Sequence, residues 1–314
     1  MKLVSDTSLL EQPSGEMWQR IRVELKEDVN TRDRDLQHIK DWLKKEPHLP
    51  DEWDDGRLMT FLRGCSFSLE KCKRKLDMYF TMRAAVPEFF ADRDISRPEL
   101  KQLMLHKVQG PALPGLTPNG RRVIICRGTD SKLDTQEITD TLKLALMIGD
   151  VRLGEEVEGV AGDVYVLDSA VLGPSLLAKL SPSIIKKFML IIQEAYPVKL
   201  KEVHIVNASP IIDRFISFVK PFLKEKIRKR IFIHTNIETL YEYVPKEMLP
   251  EEYGGTVSNM DSLNDAWIKI LEEYKEWFVR QEKIKANESL RPGKPTDYDE
   301  LFGIDGSFRQ LNID

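Results

Sequence analysis

The sequence predicts an α/β fold in which an all-helical N-terminal segment precedes a mainly parallel β-sheet. The first observation is that apolar residues recur at helical spacing near the N-terminus, as in Trp18, Ile21 and Leu25. The second is that short β-branched runs alternate with helical patterns after Pro98. Strands that are separated by helices pair in parallel, so this alternation indicates an α/β sheet.

The N-terminal helices have recognisable starts. The stretch Pro50–Cys65, PDEWDDGRLMTFLRGC, opens with proline and acidic residues, as a helix N-terminus prefers. The stretch 68–86 begins at Ser68, a suitable N-cap, and we expect its Lys71 to Lys75 segment to be solvated. These patterns predict a helical N-terminal subdomain over residues 1–96.

The strands and helices after residue 97 alternate regularly. Four runs have the composition of strands: Arg121–Arg127, Asp163–Asp168, Glu202–Ala208 and Arg230–Thr235. Helical patterns over 135–153 and 176–195 separate the first three. We therefore place an α/β domain at 97–262 and a C-terminal helix with an irregular tail at 263–314, because the sequence from Asn287 is polar and contains proline and glycine.

Composition excludes several classes of protein. The 314-residue chain has a net charge of −4, whereas a nucleic-acid-binding domain is normally strongly basic. No apolar run is long enough for a signal peptide or a membrane span, so we expect a cytoplasmic, monomeric protein. The three cysteines, Cys65, Cys72 and Cys126, have neither disulfide nor zinc spacing and are expected to be buried thiols.

No catalytic or metal-binding constellation is evident. The five histidines are scattered, and His204 alternates with apolar residues in a predicted strand, as a structural histidine does. The sequence has no G-x-S-x-G nucleophile elbow and no phosphate loop. Asp168 ends a strand without a partner that the sequence identifies. We therefore expect no enzymatic activity, no metal and no cofactor.

A helix that starts at Ser209-Pro210 carries more apolar residues than one core contact requires. Its polar residues Asp213, Ser217 and Lys220 form a narrow stripe. The apolar remainder is Ile211, Ile212, Phe215, Ile216, Phe218, Val219, Phe222 and Leu223. Two interpretations are open: a helix between sheet and neighbour, or a lid whose outer face enters a lipid bilayer. Pro221 predicts a kink or a break.

A basic run follows this helix. Residues 224–230 contain five cations and one carboxylate, and Lys226, Lys229 and Arg230 would share one face of a helix. Cations at a helix C-terminus are favoured by the helix dipole in any case, so a solvated helix end and an anion site both remain open.

Several motifs resemble the CRAL-TRIO lipid-binding family in the family's order. They are YPVKLKEVHIVNASP, PFLKEKIRKRI and LPEEYGG, within a match over about Asp54 to Thr256. The chain looks most like the α-tocopherol transfer and retinaldehyde-binding branch. The resemblance implies an α/β cage that holds one hydrophobic small molecule, behind a mobile helical gate at about Ser209 to Leu223.

The resemblance also implies site residues. The cavity wall corresponds to Leu142, Ala145, Gly149, Phe188, Ile191, Ile192, Tyr196 and Val203. The phosphoinositide-binding residues correspond to Lys199, Lys201, Lys226 and Arg230. Where the tocopherol-binding relative has Phe and two Ser, this chain has Leu142, Ala145 and Gly149, which lack hydroxyl groups. A tocopherol- or retinoid-like ligand and reversible docking on phosphoinositide-containing membranes are expected. The alternatives are a phosphatidylinositol-type transfer protein and a lipid-sensing adaptor.

Overall fold

A six-stranded mixed sheet forms the framework of the protein, which a computed structural model describes over residues 9–303. The strand order is β1-β3-β4-β5-β6, and β2 also pairs with β3. The strands are β1 Val108–Gln109, β2 Ala112–Leu116, β3 Arg121–Gly128, β4 Gly162–Asp168, β5 Leu200–Val206 and β6 Ile231–Ile233. Strands β3 to β6 run parallel, which confirms the predicted mainly parallel sheet.

Strands β1 and β2 were not predicted. Both pair antiparallel with β3, at the end of the sheet away from β6. Strand β1 has two residues, and β2 contains Pro114 and Gly115, which weaken any strand pattern. The last predicted strand is shorter than expected, because pairing with β5 covers only Ile231–Ile233.

The N-terminal region is helical, as predicted. Its helices are α1 Gly15–Leu25, α2 Arg32–Leu43, α3 Asp55–Gly64, α4 Leu69–Ala85, α5 Pro87–Phe90 and α6 Pro98–His106. Helix α3 starts at Asp54, whose carboxylate accepts a hydrogen bond from the Arg57 amide. Ser68 occupies the N-cap of α4 but forms no capping hydrogen bond through its side chain.

The crossover helices lie between the parallel strands. They are α7 Thr135–Glu155, α8 Pro174–Leu177, α9 Pro182–Leu190, α10 Ile212–Val219 and α11 Glu225–Arg228. The predicted helical stretch 176–195 consists of two helices, because α8 ends at Leu177 and Ser181 caps the new helix α9. Helix α9 then widens into one turn of π-helix, Ile191–Ala195, a form that is frequent at functional sites.

The two faces of the sheet are covered differently. Val123, Val164 and Val206 belong to one face, which packs against 3₁₀ turns within 237–253 and the start of a C-terminal helix. Ile124 and Tyr165 belong to the opposite face, under α7, and we call this the inner face. Side chains alternate along a strand, so Val203 and Ile205 share the inner face through their register with Tyr165 and Leu167.

The C-terminal segment is more ordered than predicted. Helices α12 Met260–Glu273 and α13 Lys275–Gln281 precede a tail that was expected to be irregular. Within it, Arg291 forms ion pairs with Asp77 of α4 and with Glu288. A short helix, α14 Tyr298–Phe302, buries Phe302 in the same apolar cluster as α3 and α4. Residues 304–314 of the predicted tail lie outside the described residues.

A buried carboxylate joins the N-terminal helices to the sheet domain. Asp150 of α7 is fully buried and accepts hydrogen bonds from the Tyr79 hydroxyl at 2.8 Å and the Tyr196 hydroxyl at 2.6 Å. Its second oxygen lies 3.2 Å from Arg83 and 2.5 Å from Arg93. Burial acts to raise the pKa of Asp150, but the two guanidinium charges outweigh it and hold the pKa below its ordinary value.

We predict that Asp150→Asn lowers the free energy of unfolding by about 3–5 kcal/mol, because it leaves two buried guanidinium groups without a counter-charge. Chemical denaturation measures this change. Tyr196→Phe is the matched control, since it removes one hydrogen bond to the same carboxylate and should cost only about 1 kcal/mol. A loss for Asp150→Asn no larger than that of the control would contradict the role of the charge.

Candidate functional site

Helix α7 presents a face of small and apolar residues toward α9. Leu142, Ala145 and Gly149 follow one another at helical spacings of three and four. A side chain at Gly149 would approach the Tyr196 ring to 3.3 Å, so glycine permits a close contact there. Ala145 keeps exposed surface, although its neighbours Leu144 and Leu146 in sequence are buried. Neighbouring side chains therefore do not completely cover this face of α7.

The predicted wall residues on and after α9 divide into two groups. Phe188 and Ile192 are half-buried and border the same apolar region as Leu142. Ile191 and Tyr196 are almost fully buried, and Tyr196 stacks edge-on against Tyr79 at 5.4 Å. Ile191 and Tyr196 therefore pack at the junction between the sheet domain and the N-terminal helices.

Val203 is the remaining predicted wall residue. It is half-buried on the inner face of the sheet, opposite Tyr165 of β4 and Ile231 of β6. Its two neighbours across the sheet pack against the α7 cluster and the gate cluster, respectively.

The predicted gate corresponds to α10 and a following 3₁₀ turn, Lys220–Phe222. Pro221 lies in this turn, which confirms the predicted break. One apolar cluster joins the gate to α9, to α7 and to β6. Its members include Leu142, Ile185, Met189, Phe215, Phe218, Val219, Phe222, Leu223 and Ile231.

The gate is more amphipathic than its sequence suggested. Each of its apolar residues, Ile211, Ile212, Phe215, Ile216, Phe218, Val219, Phe222 and Leu223, is at least half-buried. The exposed positions of α10 and the turn after it are Asp213, Arg214, Ser217, Lys220 and Pro221. In this arrangement α10 does not present the apolar outer face that the lid interpretation included, because its apolar surface is turned inward.

Gln193 of the π-helix holds the end of the gate. Its amide nitrogen donates to the Phe222 carbonyl oxygen at 2.8 Å, and its amide oxygen accepts from the Lys224 backbone N–H at 2.9 Å. The same nitrogen also donates to the Met189 carbonyl oxygen at 2.8 Å. Because the break after the gate interrupts the helical hydrogen bonds, Gln193 satisfies backbone groups that would otherwise lack a partner.

The start of the gate is fixed by Asp168. This carboxylate accepts hydrogen bonds from the Asn207 side chain at 2.9 Å and from the Tyr253 hydroxyl at 2.8 Å. Asn207 has a φ of 52°, in the left-handed region, and directly precedes the gate segment. The sequence identified no partner for Asp168, and the structure supplies these two side chains and the Ala170 backbone N–H, which together give it a structural role.

The predicted basic residues lie around the start of β5. Arg230 donates to the Leu200 carbonyl oxygen, between Lys199 and Lys201. Lys201 pairs with Glu24 of α1, and Lys226 is exposed on α11, one turn before Arg230. Burial and the neighbouring Lys201 charge lower the pKa of Lys199 to about 8. Glu24 opposes this shift only in part, so a further anion beside Lys199 would favour its charged form.

Sequence reasoning missed the part of α4 that adjoins this cluster. Lys75 was expected to be solvated, but it donates to the Tyr196 carbonyl oxygen at 2.6 Å and the Gln193 carbonyl oxygen at 3.1 Å. Burial lowers its pKa to about 8. The charge of Lys71 acts on both Lys75 and Lys199. No sequence signal places these lysines beside β5, because the contact is tertiary.

The histidines form no reactive centre. His204 contacts His234 at 2.9 Å between ring nitrogens, and His234 contacts the Thr239 hydroxyl at 2.6 Å. Both rings lie on the outer side of the sheet, and burial lowers both pKa values. Within residues 9–303, no group of three or more His, Cys, Asp or Glu side chains is arranged to hold a metal ion. No helix there is long and apolar enough to cross a membrane.

Two family models match the chain. A Pinta-like UBA domain matches residues 28–100, and a CRAL/TRIO domain matches residues 111–255. These matches fall on the N-terminal helices and on the sheet with its gate, respectively.

Curated relatives cover most of the chain. The mouse protein named alpha-tocopherol transfer protein-like is 31% identical over 264 residues, which are 83% of this chain and 76% of the relative. Clavesin-1 from rat is 28% identical, over 81% of this chain and 71% of the relative. A more distant likeness is to the crystal structure of Sfh5, with a TM-score of 0.48 and 15% identity, over 86% of this chain and 98% of that chain. The chain belongs to the CRAL-TRIO lipid-binding and transfer family.

Proposed function

We propose that the protein is a non-enzymatic carrier that binds one small, tocopherol- or retinoid-like ligand and exchanges it at phosphoinositide-containing membranes. The observation that carries this proposal is the arrangement of α10. Its apolar side covers the apolar region between α7, α9 and β6, and the basic segment that ends at Arg230 follows directly. The helix that encloses the ligand is therefore directly connected to the segment that contacts the membrane.

The energetics of the ligand require exchange at a second apolar phase. A ligand of this size hides on the order of 400 Å² of apolar surface, which is worth roughly 10 kcal/mol at about 25 cal/mol per Å². Release into water is therefore slow. A membrane removes this barrier, because acyl chains solvate both the ligand and the inner side of α10 once the gate opens.

The basic cluster supplies the attraction to the membrane. Each Lys or Arg near an anionic leaflet contributes about 1 kcal/mol, so the four predicted residues give docking that is useful and sensitive to salt. Lys201 is paired with Glu24, and Lys224 with Glu194, in partly exposed ion pairs. Such pairs are weak, and lipid phosphates are able to replace the carboxylates. The protein then acts as a reversibly membrane-associated, cytoplasmic monomer.

We predict that Lys226→Ala combined with Arg230→Ala slows ligand transfer between vesicles that contain phosphatidylinositol bisphosphate. Loss of two charges weakens docking by about 2 kcal/mol, which corresponds to roughly thirty-fold. Vesicle co-sedimentation and fluorescence transfer of a retinoid probe measure docking and exchange. Binding of the probe in the absence of vesicles should not change, because neither side chain belongs to the apolar cluster of the gate.

The matched control for these substitutions is Lys283→Ala with Lys285→Ala. Both lysines are exposed after α13, so the net charge falls by the same amount outside the cluster. If the two double variants lose docking equally, the effect is one of net charge and the proposed site is wrong.

We predict that Gln193→Leu accelerates release of a bound probe to neutral phosphatidylcholine vesicles by roughly ten-fold or more. The substitution removes two hydrogen bonds that hold the gate end, each worth about 1 kcal/mol. Gln136→Leu is the control, since that side chain bonds only within α7, to Asp140. Equal release rates for wild type and Gln193→Leu would show that opening occurs elsewhere.

A further inference from the structure

Tyr165 lies at the centre of the inner face. In the sheet register it stands between Ile124 of β3 and Val203 of β5. Its ring packs against the apolar cluster that includes the α7 side chains. The tyrosine therefore lies on the inner face beside Val203, whose partner on β6, Ile231, belongs to the gate cluster. Neither the sequence motifs nor the resemblance identifies it.

The Tyr165 hydroxyl differs from those of the other interior tyrosines. Tyr79, Tyr196, Tyr253 and Tyr274 are at most 3% exposed, and each directs its hydroxyl to a carboxylate. Tyr165 has no hydrogen-bond partner in the part of the chain that the structure describes. The side chain also retains accessible surface. Its hydroxyl oxygen is accessible, unlike the fully buried polar atoms that have no hydrogen-bond partner.

This accessible surface is internal. Strand β4 lies between β3 and β5, and the cluster that includes α7 side chains packs over Tyr165, so protein surrounds the ring. Burial, followed by the neighbouring Asp163 charge, accordingly raises the pKa of the phenol. A side chain that is both surrounded and partly accessible borders an interior space. A hydroxyl left unpaired when that space is filled by an apolar molecule costs roughly 1–3 kcal/mol. The ligand must therefore offer it a partner.

The chemistry around Tyr165 restricts that partner. Cys126, on the adjacent strand, contributes only a weakly polar thiol, and the lining residues of α7 have no hydroxyl groups. Arg152, the cation whose charge acts on the phenol, is already bonded to Asp163 and Glu156. A charged carboxylate or phosphate would lack a counter-ion at this end, because among residues 9–303 the cation that acts on the phenol is already paired.

We propose that the Tyr165 phenol hydrogen-bonds the single uncharged oxygen group, a hydroxyl or a carbonyl, of an otherwise apolar ligand. This inference rests on the proposed carrier function. It adds the kind of polar group that the ligand carries and the residue that contacts this group. The phenol both donates and accepts, so it suits either group. In this chain Tyr165 of the sheet supplies the polar contact with the ligand, because Leu142, Ala145 and Gly149 of α7 have no hydroxyl groups to supply it.

The test uses two probe pairs that differ by one oxygen: retinol with its deoxy hydrocarbon axerophthene, and phytol with the hydrocarbon phytene. An equimolar mixture of the four is equilibrated with the protein, and the retained lipids are quantified by mass spectrometry after gel filtration. Wild type should prefer each alcohol over its hydrocarbon by roughly five-fold, the value of one hydrogen bond. Tyr165→Phe should retain the hydrocarbons as well as wild type does and show a preference near one.

Tyr243→Phe is the matched control, because Tyr243 is 39% exposed and packs against His204 and Phe232 at the far side of the sheet. It should keep the wild-type preference. If Tyr165→Phe also keeps that preference, or if wild type retains all four probes equally, the inference is overturned while the carrier function stands. If wild type retains none of the probes, the carrier function is overturned together with the inference.

Discussion

The ionic contact of Asp150 with Arg83 and Arg93 is the interaction on which the arrangement of the protein depends. It brings a helix of the sheet domain, the fourth N-terminal helix and the loop after α5 to one fully buried point. Burial of a charge is costly unless it is paired, so the three segments hold one relative position. Arg83 also donates to carbonyl oxygens at the end of α13, which extends this constraint to the C-terminal helices.

The same constraint reaches the gate through the π-helix. Tyr196 donates to Asp150 immediately after this turn. Lys75 of α4 donates to the Gln193 carbonyl oxygen within the turn and to the Tyr196 carbonyl oxygen after it. The widened turn presents Gln193 to the break behind α10. The gate end is thus held by a chain of hydrogen bonds that starts in the N-terminal helices. In our account the segment that moves is α10, whose C-terminal end these hydrogen bonds hold.

Local patterns predicted the parallel strands, the N-terminal helices and the break at Pro221, because each depends on neighbouring residues. Strand β1 was missed because it has two residues, and β2 because it contains Pro114 and Gly115. The outer face of α10 was misjudged because Arg214 was not counted with its polar stripe, and the structure exposes it. The roles of Lys75, Gln193 and Tyr165 were beyond sequence reasoning. Each role depends on tertiary contacts of the side chain with residues that are distant in the sequence, or on the lack of such contacts.

The central claim is that the apolar region under α10 holds one small ligand that leaves when the basic cluster meets an anionic membrane. Native mass spectrometry of the purified protein tests it most directly, before and after incubation with vesicles. The account predicts one bound apolar molecule per chain, lost to vesicles that contain phosphatidylinositol bisphosphate and retained with phosphatidylcholine alone. A bound phospholipid, or a ligand that leaves equally to both kinds of vesicle, would contradict it.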